Sequence, residues 1–297
     1  MATLTDTELL QYVIAEPHDC VTLADRYIVV VGRGDRYAVF DAATETSKAY
    51  EGLVGIGGGK VKRRVTSYGG YAWTTTGMGN VARIGSDGSL TTFININVSA
   101  YSGGYGNWLT QSIDVCGNWL IGKYFPYTTG ALKAYRWGFK PSDASKWTAF
   151  EGTATTGLGL TDGTHQIIAD SGTRYSPSTG ASVGSGFPTP PGYNDNFGWD
   201  GCSTLDGDTY LAINNNGILR EFSLSTGSSV NTSLGVIAPP ILAPNNMLYF
   251  QTAGSLRVMD RSTKAMATWT FTHSRSYRGA LGFAGGKAYS FAGETPV

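Results

Sequence analysis

Charge is scarce in this chain. Only 15% of its 297 residues are Asp, Glu, Lys or Arg, and 22 basic residues cancel 22 acidic ones. A net charge of zero removes the attraction on which nucleic-acid and anionic-membrane binders depend, so neither partner is expected. Long hydrophobic runs are missing too, and none approaches the roughly 20 apolar residues that span a bilayer. The N-terminal MATLTDTELLQYVIAE has no basic region followed by an apolar one. No secretory signal is read there, and synthesis in a cytosol is expected. Three cysteines, Cys20, Cys116 and Cys202, are too few and too scattered for a disulfide framework. Cys20 and Cys202 hold matching places in CVTLADRY and CSTLDGDTY, and both read as small residues buried on an inner strand. No linker, charge block or Pro-rich spacer divides the chain, so 1–297 is expected to form one domain.

What the chain has is glycine, 41 residues of it, and a 12% share of aromatics. Strands joined by many tight turns use both. Seven β-branched or aromatic runs each follow a tight-turn dipeptide: RYIVVVG from Arg26, YAWTTTG from Tyr71, WLIGKYF from Trp119, HQIIADSG from His165, YLAINNNG from Tyr210, MLYFQTAG from Met247 and KAYSFAG from Lys287. The preceding pairs include Gly69-Gly70, Gly117-Asn118, Asp162-Gly163, Asp206-Gly207 and Gly285-Gly286, which tolerate the positive φ of primed hairpin turns. A period of about 40–45 residues holding several short strands is the mark of propeller blades.

With strands a to d numbered outward from a central channel, these runs are strand b. Strand c follows as RYAVFDAATET, NVARIGSDGS, TRYSPSTGAS, ILREFSLSTGSS and SLRVMDRSTKA, and strand d as KAYEGL, LTTFININV, KWTAFEG, VNTSLGV and ATWTFTH. The fourth repeat is degenerate, with VGSGFPTPP its weakest strand. The expected fold is all-β: a seven-bladed β-propeller of four-stranded antiparallel blades. Thr7–Glu16 is placed as the outer strand of the last blade, so that the N- and C-terminal segments pair and close the ring. A helix over Asp6–Ile14, with six blades, is the alternative.

The strand c segments resemble the repeats of pyrroloquinoline-quinone and kelch propellers. Val258-Met259-Asp260-Arg261-Ser262-Thr263-Lys264 running on to Trp269 is similar to their apolar-Asp-x-x-Thr-Gly/Lys…Trp pattern, and Phe40-Asp41-Ala42-Ala43-Thr44 ending at Tyr50 is a second instance. The resemblance implies the fold alone. The residues that would hold the quinone are not matched, and no cofactor or metal is expected.

In a propeller the d–a and b–c connections leave one end and the a–b and c–d turns the other. The first end takes the unusual segments. Tyr101, Tyr105 and Trp108 lead into the third blade; Tyr193, Asn194, Phe197 and Trp199 lead into the fifth; Tyr127 lies between strands b and c of the third. Tyr and Trp supply rigid contact area and Ser, Gly and Asn adaptable hydrogen bonds, so these are the candidate ligand-binding residues, suited to protein or to glycan. A second cluster, His18 and Asp19 with His273, Arg275 and Arg278, falls in successive d–a connections and offers acid–base chemistry at the channel mouth. Arg33-Gly34-Asp35 reads as hairpin chemistry, and Ser86-Asp87-Gly88-Ser89 only partly matches a sialidase Asp-box. No nucleophilic triad or forced carboxylate pair is found, so no catalytic residue is named.

Two functions follow as expectations. The first is a non-enzymatic structural and binding module. The unexported, Gly/Ser/Thr/Tyr/Asn-rich composition is similar to that of bacteriophage tail and other virion proteins, which implies a virion component docking to neighbouring subunits and recognising host-surface polysaccharide. The second is a carbohydrate-active or metal-dependent enzyme with its site over the channel.

Overall fold

The computed structural model describes residues 17–32, 34–53, 63–76, 80–95, 108–128, 131–153, 159–168, 172–185, 202–213, 218–233, 241–243, 246–252, 254–270 and 279–292. Every regular element among them is a strand. The first sheet is β1 (Pro17–Leu23), β2 (Tyr27–Gly32), β3 (Arg36–Asp41) and β4 (Thr46–Glu51). The second is β5 (Val65–Tyr68), β6 (Tyr71–Thr75), β7 (Asn80–Ile84) and β8 (Leu90–Asn95). The third is β9 (Trp108–Cys116), β10 (Trp119–Thr128), β11 (Ala131–Lys140) and β12 (Ser145–Thr153). The fourth is β13 (Gly159–Thr161), β14 (Gln166–Ile168), β15 (Thr173–Tyr175) and β16 (Ser182–Ser185). The fifth is β17 (Cys202–Asp206), β18 (Thr209–Ile213), β19 (Ile218–Ser223) and β20 (Ser229–Ser233). The sixth is β21 (Ile241–Ala243), β22 (Met247–Thr252), β23 (Ser255–Asp260) and β24 (Met266–Thr270). Among the described residues the last sheet has two strands, β25 (Gly279–Ala284) and β26 (Lys287–Ala292).

Each sheet is an antiparallel meander, and its core lies against its neighbours rather than within itself. Val29, Val31 and Tyr37 of the first sheet share a buried cluster with Ala72, Ala82 and Ile84 of the second. Trp73 and Val81 of the second pack with Leu120, Tyr135 and Phe139 of the third. Leu211 and Leu219 of the fifth meet Leu248, Phe250 and Met259 of the sixth. Leu256 of the sixth meets Leu281 of the last sheet, and Ala280, Ala284 and Phe291 of that sheet meet Ile28, Val30 and Phe40 of the first. β13 of the fourth sheet lies against β9 of the third and β17 of the fifth, and so the ring closes. This is a β-propeller.

The arrangement explains the two hydrophobic patterns in the sequence. A strand covered on both faces by neighbouring sheets reads as a continuous apolar run, as in the buried Ile28–Val31 of β2. The outermost strands have one wet face, and β24 alternates exposed and half-buried residues along its length.

The turn chemistry is as the dipeptides suggest. Every inner a–b turn holds positive φ, at Asp25, Gly70, Gly117, Gly163, Gly207, Asn246 and Gly286 among others. In the first turn the residues concerned are Ala24 and Asp25, one position earlier than the Asp25-Arg26 pair. Three boundaries differ from expectation. The outer strand of the first sheet starts at Thr46 rather than Lys48, because its register pairs Thr46 with Asp41. The outer strand of the fourth sheet is Ser182–Ser185, beginning one residue before the expected VGSGFPTPP, whose remainder lies outside the described residues. The third sheet is longer than expected, with strands of 9 and 10 residues. The Thr7–Glu16 segment lies outside the described residues.

Candidate functional site: the two ends of the ring

The end formed by the c–d turns is occupied with holding the sheets to one another. Each four-stranded sheet places one left-handed residue in that turn: Glu45, Gly88, Ala144, Gly180, Gly227 or Lys264. At four of these turns the preceding sheet of the ring reaches over. Tyr37 and Tyr50 of the first sheet stack 5.4 Å apart, and their hydroxyls donate to the carbonyls of Gly88 (2.6 Å) and Asp87 (2.8 Å). Arg136 and Trp147 of the third donate to the carbonyls of Gly180 (3.0 Å) and Pro177 (2.7 Å), and the Arg136 guanidinium lies 3.4 Å over the Tyr175 ring. Glu221 of the fifth accepts from Arg261 at 3.2 Å and from Lys264 of the sixth. Lys287 of the last sheet donates to Glu45 of the first at 2.8 Å.

The quinone- and kelch-like pattern finds its physical meaning here. The Asp41 carboxylate accepts from the Ala43 N–H at 3.0 Å, and that of Asp260 from the Ser262 and Thr263 N–H groups at 2.8 and 3.2 Å. These aspartates cap the c–d turn. The Arg26 fork and these turn bonds hold the Asp41 carboxyl at about 2. Asp87 does the same in the second sheet, accepting from the Ser89 N–H at 2.9 Å, so the partial Asp-box is a turn under two tyrosines. The Trp or Tyr at the end of the pattern reaches the neighbouring sheet: Tyr50 lies over Gly88, and Trp269 packs against the Leu256–Leu281 cluster.

At the opposite end the structure corrects the reading of the channel mouth. His18 and Asp19 are not in a connection; they are residues of β1, both buried. His18 Nδ1 accepts from the Arg63 N–H at 2.9 Å, which puts the proton of the neutral ring on Nε2. The Asp19 carboxylate accepts from the Val65 N–H at 3.1 Å and the Cys20 N–H at 3.0 Å, and lies 3.5 Å from Arg64 Nε. Both side chains therefore serve β5. They dock the start of the second sheet on the first, and within the second sheet Thr74 of β6 holds the same segment by donating to the Arg64 carbonyl at 2.6 Å. His273, Arg275 and Arg278 lie outside the described residues.

Sequence reasoning passed over Arg63, which is 1% exposed, and Asp114. Burial lowers the Arg63 guanidinium to about 10, and burial pushes the Asp114 carboxyl up against the opposing pull of the Val115 N–H and Arg64. An Asp whose folded pKa is raised costs stability as pH rises through that value. Asp114→Asn is therefore expected to raise the melting temperature at pH 7. The gain should vanish below pH about 4, where an unfolded-state Asp is itself protonated. Melting curves of both proteins across that range measure it.

The aromatic candidates divide. Trp108 and Tyr127 are strand residues rather than loop residues: Trp108 opens β9 opposite Pro126, and Tyr127 sits in β10 opposite Leu132. The connection expected around Tyr127 is mostly hairpin, because β10 and β11 keep pairing to Thr128 and Ala131. Tyr101, Tyr105, Tyr193, Asn194, Phe197 and Trp199 lie outside the described residues. Of the Arg-Gly-Asp turn, Gly34 and Asp35 are described and exposed, and the Asp35 carbonyl accepts from the Leu53 N–H at 3.0 Å. Cys20 and Cys116 are free thiols on inner strands. Cys202 opens an inner strand as well. Among the described residues no group of three or more His, Cys, Asp or Glu side chains is placed to hold a metal ion. Nor does any helix among them have the length and apolar character to cross a membrane.

No protein-family model matches this sequence, and no curated protein matches it. Solved structures do. The chain superposes over 95% of its length on 91% of the WD40 β-propeller domain of Doa1, with a TM-score of 0.58 and 11% identity. The computationally designed Ika8 protein matches with a TM-score of 0.52 and 11% identity, covering 94% of this chain and 93% of that one. Sqt1 of Saccharomyces cerevisiae gives 0.52 and 9%, covering 93% and 79%. The likeness is one of fold.

Proposed function

We propose that this chain is a binding module: one seven-bladed ring over residues 1–297 that docks protein subunits of an assembly through its b–c and d–a end. The observation that carries the reading is the unequal use of the two ends. Four of the six described c–d turns are gripped by the preceding sheet, from Tyr37 and Tyr50 on Gly88 round to Lys287 on Glu45. The opposite end carries the lengthened third sheet, with Trp108 at the head of β9 and Tyr127 near the end of β10. Loops and projections held by a rigid scaffold are where binding surfaces are built. The propeller fold shared with WD40 domains suits a scaffold role, by analogy of fold.

In this reading the seventh blade is completed by pairing of the terminal segments. The assembly is a virion, the chain a tail component, and the aromatic face also meets host-surface polysaccharide. Chain tagged and recovered from its native producer is expected to carry partner subunits in fixed stoichiometry. Trp108→Ala with Tyr127→Ala should release them without changing the melting temperature. Retention of the partners by that double variant would place docking elsewhere. Polysaccharide binding without turnover, lost in Trp108→Ala and Trp199→Ala, tests the glycan part separately.

A further inference from the structure

Arg26, Arg36, Arg64 and Arg261 each meet a carboxylate, and Arg136, Arg220 and Arg257 each donate to a carbonyl or side-chain oxygen. Arg83 is different. It lies in β7, two residues before the Gly85 N–H that closes the c–d turn, and Glu221 of the fifth sheet holds the matching place before Ser223. Glu221 uses that place to grip Arg261 and Lys264 of the next sheet. Arg83 faces the next sheet too, since it pairs with Trp73, which packs on the third sheet. Among the described residues its guanidinium has no hydrogen bond and no carboxylate within ion-pair reach. The acidic residue of the third sheet's c–d turn, Asp143, is held instead by Lys140 at 2.6 Å and by the Ser145 N–H at 3.0 Å.

What Arg83 does touch is aromatic. Its guanidinium lies 4.3 Å from the centre of the Tyr71 ring and 5.0 Å from that of Phe93. Both rings are 37% exposed, and Phe93 is backed by Trp73 at 5.2 Å and by Phe139 of the third sheet at 5.9 Å. Rings against a guanidinium fix its plane and leave its in-plane N–H groups for a partner. None of those groups is buried, so they open to solvent. Arg174 holds the matching place in the fourth sheet, before Ser176, but it pairs with Ile167 and Gly184 and its Nε is buried. The aromatic platform belongs to the second sheet.

We propose that Tyr71, Arg83 and Phe93 form a docking site for an acidic segment of a protein partner. Arg83 takes an Asp or Glu carboxylate through paired N–H donors, and the two rings cover an apolar side chain beside it. Charge complementarity names the occupant. One guanidinium among uncharged neighbours balances the single charge of a carboxylate, whereas the nearly double charge of a phosphate calls for more than one cation. Nucleic acid would bring a run of phosphates to a chain of zero net charge. Sugars stack on open ring faces, and the guanidinium already lies over a face of each of these rings. A carboxylate–guanidinium grip at this place is one the ring itself uses, between Glu221 and Arg261. The site lies at the c–d end and stands independently of what docks on the b–c and d–a end.

A random dodecapeptide library panned on the immobilised full chain, after depletion on the Arg83→Gln chain, is the test. The peptides retained should share an Asp or Glu next to an apolar residue. For such a peptide, changing the acid to its amide should weaken binding to the parent chain about tenfold. Both forms should bind the Arg83→Gln chain equally weakly. Arg220→Gln, on the fifth sheet, should bind as the parent does. A second measurement needs no variant to fold: the Arg83 Nε–H resonance of the parent chain should shift with the acidic peptide and not with its amide form. Retained peptides without an acid, an amide form that binds as well, or tighter binding of a phosphoserine form through Arg83 overturns the proposal.

Discussion

Alanine at Gly88 is expected to cost about 3–4 kcal/mol and to lower the melting temperature by roughly 6–10 °C. Two effects add. The φ of Gly88 is +81°, where a Cβ is strained by about 1 kcal/mol or somewhat more. That Cβ would also stand 2.0 Å from the Tyr50 ring, so the ring must leave and its hydroxyl loses the Asp87 carbonyl. Gly227 separates the two effects. It holds the same turn position at φ +68° with nothing near the added carbon, so Gly227→Ala should cost only the backbone share, about 1 kcal/mol. Thermal or urea unfolding of the two variants side by side measures the difference. Equal losses would mean that the tyrosine clasp contributes nothing to stability.

Arg136→Ala is expected to destabilise by about 2–3 kcal/mol, an unusual cost for removing a charge from a sheet. The side chain is 5% exposed, lies flat on Tyr175 and donates to the Gly180 carbonyl. Truncation takes the packing between the third and fourth sheets and leaves that carbonyl without its guanidinium. Arg136→Lys should recover less than half of the loss, because an ammonium neither stacks on a ring as a plane nor spans both contacts. Urea denaturation of the three proteins checks this, and full rescue by lysine would show that charge alone matters.

How much of this was legible in the sequence depends on the range of the interaction involved. The a–b turns were readable because positive φ is a property of one or two residues, and Gly69-Gly70 or Gly285-Gly286 announce it locally. The Asp-x-x-Thr stretches were readable for the same reason, since Asp41 and Asp260 cap a turn only two or three residues away. The channel mouth was misplaced because its partners are remote. His18 is satisfied by Arg63, 45 residues further on, and Asp19 by Val65, 46 further on. Spacing alone placed both in a connection, whereas those bonds hold them within β1. The third sheet was cut short at Phe125, with Tyr127 placed in a connection. Pairing of Pro126 with Trp108 instead puts Pro126 in strand, where β9 and β11 flank it.

The repeat length, the four-strand rhythm and the left-handed turn positions were set by neighbouring residues, because φ preference and period-two alternation act over a few positions of chain. Which polar groups became structural was decided only when the ring closed. A carboxylate, an imidazole or a guanidinium reads alike in sequence whether water or a neighbouring sheet satisfies it. The difference lies in desolvation, and burial between sheets distant along the chain is what imposes it.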